Sequence, residues 1–437
     1  MKEGILEKFC QAVEKRKVVD VYGKVKSAIG LVIEATGPKM SVGDLCYIAS
    51  RDRKQRVPAE VVGFKDGLYQ VMPLSEVYGL GPDYLLIPTF TQRSIGIGED
   101  ILGRVIDALG EPIDGKPRYK INEIRSLYAE PPSPVFRPRV LKPFVTGIKA
   151  IDGCITCGKG QRIAILSGSG VGKSKLIGMI ARNTKADVNV IALVGERGKE
   201  VREFLELDLG EEGLKRSVVV VATSNESPLR RISAGYVATT IAEYFRDKGA
   251  DVLLMMDSVT RFAMARREIG LSIGEPPTTK GYTPSVFSLL PKLLERVGTS
   301  EKGTITGFYT VLVEADDLND PIGDAVRSIT DGHISLSRAL ASRAHYPAID
   351  VLESVSRSMI EVVDEKHRSL ASKIRRILAV YRDAEDLINI GAYVSGSNPE
   401  IDEAIELIPK IRKFLVQDLY EKVEWDEMIQ MMGDAVR

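Results

Sequence analysis

Cysteine and histidine are scarce in this chain, with four and three residues among 437. Cys10, Cys46, Cys154 and Cys157 are too few and too scattered to form a disulfide framework at this length, which points to a reducing compartment. Cys154 and Cys157 make a Cys-x-x-Cys, but a zinc site wants two more ligands at similar spacing and a thioredoxin-like site wants its own surrounding fold. Neither is visible, and His333, His345 and His367 form no His-x-x-x-His pair, so the two cysteines are expected to be structural. No apolar run approaches the roughly 18 residues that span a bilayer. Residues 1–17 alternate charge with apolar side chains, so neither a membrane span nor a signal peptide is expected. Excess charge is missing too: Lys plus Arg and Asp plus Glu both number 60, which argues against a dominant nucleic-acid footprint while leaving room for one basic stripe.

What is present suggests roughly two to four domains at this length. Ile5, Leu6, Phe9, Cys10 and Val13 recur at helical spacing, which predicts an amphipathic helix over 1–17 that either docks a partner or packs on its own domain. Over 18–92, short runs such as 30–33, 45–48 and 61–64 are separated by Gly, Pro and Asp turns, the pattern of a small β-barrel. Residues 102–115 and the proline-rich 131–143 are expected to form a connector, since proline at that density excludes helix and central strand. Apolar runs at 163–166, 190–194, 218–222, 252–256 and 305–313 then alternate with helical patterns, which predicts an α/β domain over 93–363 with a parallel sheet covered on both faces. Residues 364–437 are charged and helical in pattern, broken at 391–399 and at Pro409, and are expected to be a helical C-terminal domain.

The sharpest local signal is Ser167-Gly168-Ser169-Gly170-Val171-Gly172-Lys173-Ser174, which follows the run 163–166 and opens a helix. A polyphosphate needs backbone N–H groups at a helix N-terminus, glycines that let the chain curl closely, a lysine for the outer phosphates and a hydroxyl for Mg²⁺. All are there, although Ser167 stands where the strict pattern has glycine. The run 252–256 ends in Asp257, an acid at a strand's carboxyl edge that could share the Mg²⁺ with Ser174. The run 190–194 leads into Gly195-Glu196-Arg197-Gly198, so Glu196 faces the same edge, either orienting water against the γ-phosphoryl or merely pairing with Arg197. A cation for the transition state is not evident from spacing alone.

Gly195-Glu196-Arg197-Gly198, Asp257-Ser258-Val259-Thr260-Arg261, Ile273-Gly274-Glu275-Pro276-Pro277 and Tyr346-Pro347-Ala348-Ile349-Asp350 together resemble the catalytic subunits of F-type and V-type ATPases. Thr278, Lys280-Gly281-Tyr282, Pro284-Ser285-Val286-Phe287 and Asp331-Gly332-His333-Ile334 bring the chain nearest to the type III secretion ATPases. Gly391-Ala392-Tyr393, Gly396-Ser397 and Pro399 with Asp402-Glu403-Ala404-Ile405 resemble the flagellar export branch rather than the injectisome one. The resemblance implies a RecA-like P-loop core, ATP and Mg²⁺ as ligands, Glu196 as the carboxylate that activates water with Arg197 beside it, and Asp257 as the metal-linked acid. It further implies Tyr346 as the aromatic that stacks on adenine, Arg357 as an arginine finger given to the neighbouring subunit, and the 316–321 loop as the part that faces a central stalk.

Because Glu196 and Arg357 occur in one chain, identical subunits could build every site of a ring, and a homohexamer is expected. The same resemblance implies a cytoplasmic enzyme at the inner face of the membrane. Its partners would be a stator or regulator bound through the N-terminal helix, a central stalk, export substrates with their chaperones, and the export gate. A hexameric RNA or DNA translocase is the rival from another class, but the barrel region's Lys24, Lys26, Arg51, Arg53, Lys54 and Arg56 have few aromatics among them, so no nucleic acid partner is expected. A ring subunit that binds nucleotide for structure alone is disfavoured by Lys173 and Glu196 occurring together.

Overall fold

A computed structural model describes residues 21–437 apart from 77, 78, 80, 82 and 314–319. The helix expected over 1–17 and most of the 316–321 loop therefore lie outside the described residues. The chain divides into two units, one ending at Arg93 and including Ser272–Gly274, the other running from Ser94 to Arg437 around that insertion.

The first unit contains a closed six-stranded barrel of β1 (Gly23–Ile29), β2 (Val32–Ala35), β3 (Asp44–Ala49), β4 (Arg56–Lys65), β5 (Leu68–Pro73) and β6 (Leu85–Gln92), in the order β1-β2-β5-β4-β3-β6. The strands close because their apolar residues alternate: Val25, Ile33, Cys46, Ile48, Val61, Val71 and Leu86 fill the interior. Cys46 is fully buried there, and burial pushes its thiol up to about 12, so it behaves as a small core residue.

The second unit is built on β7 (Arg104–Asp107), β8 (Arg162–Ser167), β9 (Val188–Val194), β10 (Ser217–Ala222), β11 (Asp251–Asp257), β12 (Thr304–Leu312), β13 (Gly332–Leu336) and β14 (Ile349–Ser356). They lie in the order β14-β13-β8-β12-β11-β9-β10-β7, and Gly298–Thr299 adds a short antiparallel piece on β12. Every neighbouring pair is parallel except β13 with β14. The central strands are apolar on both sides because helices cover both faces: every residue of β9 and β10 is buried. This α/β core, preceded by a barrel and followed by helices, is the expected fold class.

Three local expectations are corrected. Residues 102–115 are not all connector, since Arg104-Val105-Ile106-Asp107 is a fully buried edge strand paired with β10; the proline at 112 falls after it and leaves its ladder intact. The sheet also does not end at 313 but gains β13 and β14, whose half-buried runs carry no continuous apolar signal. Pro409 does not break the helix that holds it. That helix runs Pro399–Leu415, and the hydrogen bond lost at Pro409 falls on the carbonyl of the partly exposed Ile405, while Ala404, Leu407, Ile408 and Ile411 keep one apolar stripe buried.

Short α1 (Lys149–Cys154) is the platform for the C-terminal helices α5 (Glu365–Asn389), α6 (Pro399–Leu415) and α7 (Trp425–Ala435), which all contact it. Here α2 to α4 denote Lys173–Asn183, Pro228–Asp247 and Val259–Ser272. Cys154 and Cys157 are buried in this region, and burial raises both thiols, Cys154 to about 12. Farther along, Arg296 is 1% exposed and forks onto Glu243 of α3, with Nε 2.9 Å from Oε1 and Nη2 2.5 Å from Oε2. Its remaining donors reach the Leu127 carbonyl and Thr240 Oγ1.

Removing one partner of a buried ion pair leaves the other charge uncompensated. Arg296→Met is expected to lower stability by about 3–5 kcal/mol, seen as a fall in the denaturant midpoint, with Glu243→Leu in the same chain restoring most of it.

Candidate nucleotide-binding site

Parallel strands that share a direction present all their carboxyl ends on one edge, and the cleft of about 600 Å³ lies there. β8 ends at Ser167, the chain turns through 168–172, and α2 begins at Lys173. Gly170 and Gly172 take left-handed φ of 78° and 95°, which lets the loop curl around the cleft it lines. Ser167 itself needs no such freedom: it is the last ladder residue of β8, opposite Leu312, which is why a serine is tolerated where the strict motif has glycine. Ser174 follows on the first turn of α2 and lines the cleft with Gly168 and Ser169, while Val171 is buried beneath them.

Lys173 is the centre of the charge arrangement. Its Nζ pairs with Asp257 Oδ1 and lies 3.6 Å from Glu196 Oε1. Burial acts to lower the Lys173 ammonium, but Asp257 and Glu196 outweigh it and hold it above the usual lysine value. Asp257, at the end of β11 and 3% exposed, also accepts a 2.7 Å hydrogen bond from Thr310 Oγ1 of β12. Glu196 follows β9, and burial together with the Asp257 carboxylate pushes its carboxyl up to about 7, against the pull of Lys173. Glu200, which shares a hydrogen bond with Glu196, is held below the usual range by it. The Glu196 carbonyl accepts from Ser224 N at 3.0 Å, which ties the end of β10 into the site.

Arg197 is on the rim rather than inside: its side chain is 82% exposed and lies 4.0 Å from Glu200. Tyr346 is beside the loop, with a Cβ at Gly172 lying 3.5 Å from its Cε1, and its carbonyl accepts from Gln417 N at 2.9 Å. It is 45% exposed, leaving ring face for a base. Arg357 is not brought to this cleft. Ser356 pairs with Gly332, next to His333, which pairs with Ala164 of β8, so Arg357 is exposed at the amino edge of the sheet. β8 has six residues, which separates its two ends by about 17 Å at a strand's usual rise.

Glu200, Ser224 and Arg261 also line the cleft and were not singled out from sequence as site residues. Arg261 was within reach of sequence reasoning, since it lies four residues after Asp257 at the start of α4. Its stem packs on Gly195, where a Cβ would come within 2.8 Å of Arg261 Cβ, and its buried Nε has no hydrogen-bond partner among the described residues. Together these groups form a glycine-lined pocket of mixed charge in which two acids flank the lysine, suited to binding and cleaving a polyphosphate.

Comparison with known proteins agrees with this geometry. Residues 147–356 match the ATP synthase alpha/beta family, nucleotide-binding domain, and residues 363–434 match the T3SS EscN ATPase C-terminal domain. The chain is similar to the flagellum-specific ATP synthase of Bacillus subtilis (strain 168), 55% identical over 409 residues that cover 93% of each. It is also 48% identical over 411 residues to the type 3 secretion system ATPase of Xanthomonas euvesicatoria, covering 94% of this chain and 93% of that one. The solved structure of the assembled ATPase EscN from the enteropathogenic E. coli type III secretion system matches with a TM-score of 0.90 at 45% identity, over 95% of this chain and all of that one. EscN in complex with its central stalk EscO matches with a TM-score of 0.88 at 44% identity, over the same shares.

In the nucleotide-free protein one carboxyl is expected to titrate near pH 7 by infrared difference spectroscopy and to vanish in Glu196→Gln. Its folded value lies above the ordinary 4.5, so the stability it contributes is present below 4.5 and is lost as pH rises through about 7. A spectrum with no carboxyl titrating between pH 6 and 8 would contradict the assignment.

Proposed function

The chain belongs to the flagellum-specific and type III secretion ATPases of the ATP synthase alpha/beta family, and from that membership we propose that it works as a ring of six identical subunits driving flagellar protein export. It is an ATP-hydrolysing enzyme. The observation that carries the ring is the separation just described: Lys173 and Glu196 share one cleft, while Arg357 of the same chain is exposed at the opposite edge of the sheet. A site that needs that guanidinium must take it from another copy.

In this reading the N–H groups of 168–172 and the Lys173 ammonium bind the phosphates, and the triphosphate draws Lys173 away from Asp257. Ser174 and the freed Asp257 offer a hydroxyl and a carboxylate oxygen, donors that suit Mg²⁺, which would hold the phosphates and offset their charge. Glu196, in the ionised form it takes as pH rises through about 7, accepts the proton of the attacking water as the oxygen bonds to the γ-phosphorus and the bond to the β-phosphate oxygen breaks. Arg261 and Arg197 supply positive charge at the wall and rim, and Arg357 of the adjacent copy completes the transition state. Tyr346 stacks on the base and accepts any purine by its ring face.

The further partners belong to the same proposal: a central stalk, as in the EscN complex with EscO, a stator or regulator, chaperoned substrates, and an export gate at the cytoplasmic face of the membrane. Among the described residues no helix is long and apolar enough to cross a membrane.

Lys173→Ala is expected to abolish turnover. Arg357→Ala should retain nucleotide binding and lose about 10³–10⁵ in kcat. Specific activity should climb steeply with protein concentration. Co-assembled Lys173→Ala and Arg357→Ala subunits should regain phosphate release that neither has alone, because one offers an intact loop and the other an intact finger; a dilute, fully active monomer contradicts the ring.

A further inference from the structure

Arg357 follows β14, an edge strand that pairs with β13 alone, and that pairing is interrupted by a register shift between His333 and Ser335. A finger needs a firmer seat, because a displacement near 1 Å at a reacting centre costs about 10² in rate. The seat comes from the amino end of β8. Gln161 is fully buried there, and its amide is engaged on both sides. Oε1 accepts from Gly158 N at 2.8 Å, while Nε2 donates to the Asp331 carbonyl at 2.9 Å and to Ser356 Oγ at 3.1 Å. Ser356 Oγ donates in turn to the Thr156 carbonyl at 2.8 Å. The Asp331 carbonyl also accepts the backbone N–H of Arg357 at 3.0 Å, so one oxygen joins the glutamine to the finger. Gly332 makes the approach possible, since a Cβ there would lie 2.4 Å from the Val355 carbonyl oxygen and 3.3 Å from Gln161 Nε2.

We propose that Gln161 is a positioning residue for the arginine finger, fixing the end of β14 from inside the sheet so that Arg357 meets the neighbour's nucleotide. This rests on the reading that Arg357 acts across a subunit interface. A primary amide suits the task where an apolar side chain does not, since its N–H groups can reach the half-buried Asp331 carbonyl and Ser356 hydroxyl together. β8 then carries a phosphate loop at its carboxyl end and the anchor of the finger at its amino end. A lesion at Gln161 should therefore impair the next subunit's site and leave its own loop intact.

The full-length Gln161→Met enzyme is expected to lose about 10² in kcat with KM for ATP unchanged. Ser356→Ala, which removes one hydroxyl, should shift kcat in the same direction and serves if Gln161→Met does not fold. The deciding measurement is phosphate release by co-assembled rings. Gln161→Met mixed with Lys173→Ala should regain activity, because the second chain lends a sound finger to the first chain's loop; mixed with Arg357→Ala it should not. The reverse pattern, gain in neither mixture, or wild-type kcat in both variants overturns the proposal. A control mixture of Lys173→Ala with Arg357→Ala that fails to gain overturns the reading beneath it, and so separates the two failures.

Discussion

Everything in this active site depends on one buried ammonium between two carboxylates. Lys173, Asp257 and Glu196 come from the ends of three different strand–loop junctions, after β8, β11 and β9, and only a parallel sheet delivers those ends to one edge. Burying such charges is unfavourable unless they are matched. One lysine beside two acids leaves the pair under-compensated, and burial with the Asp257 carboxylate pushes Glu196 up to about 7. The strand that separates β8 from β11 is part of the same solution, because Thr310 of β12 donates to Asp257 and keeps that carboxylate aimed.

In the proposed ring the sheet also sets the two halves of a site apart. Its carboxyl edge collects the phosphate loop, the acids and Tyr346. Its amino edge collects Arg357, Asp331 and Gln161. A strand of six residues is rigid when paired on both sides, as β8 is with β12 and β13, and so holds its two edges apart. In the proposed ring, division of the catalytic groups between copies follows from the length of a strand. The C-terminal helices add a link of their own: Gln417, just past α6, holds the Tyr346 carbonyl through its N–H, while its side-chain amide bridges Lys149 N and the Gly147 carbonyl. The helical region is thus tied to Tyr346, the residue proposed to stack on the base.

Residues 167–174 spelled the phosphate loop in sequence, because a short local segment must itself adopt the cradle, and local conformation is written in local residues. The buried strands β8 to β12 were legible for the same reason, as unbroken apolar runs. β7, β13 and β14 were not, because an edge strand or a half-buried one has no continuous apolar signature and is fixed by its partners. Pro409 misled for a related reason, since propensity lost to a stripe of buried contacts on α6.

Sequence by itself determined the chemistry that lies within a few residues: a glycine-rich turn with Lys173 and Ser174, and acids closing apolar runs at Glu196 and Asp257. Tertiary structure decided which of these meet and which cannot. It drew Arg261 and Glu200 into the cleft, put Arg197 on its rim, and held Arg357 at the far edge. The physical reason is range: a turn or a strand is set by neighbours along the chain, whereas the pairing of charges across strands depends on sheet order, which no local pattern encodes.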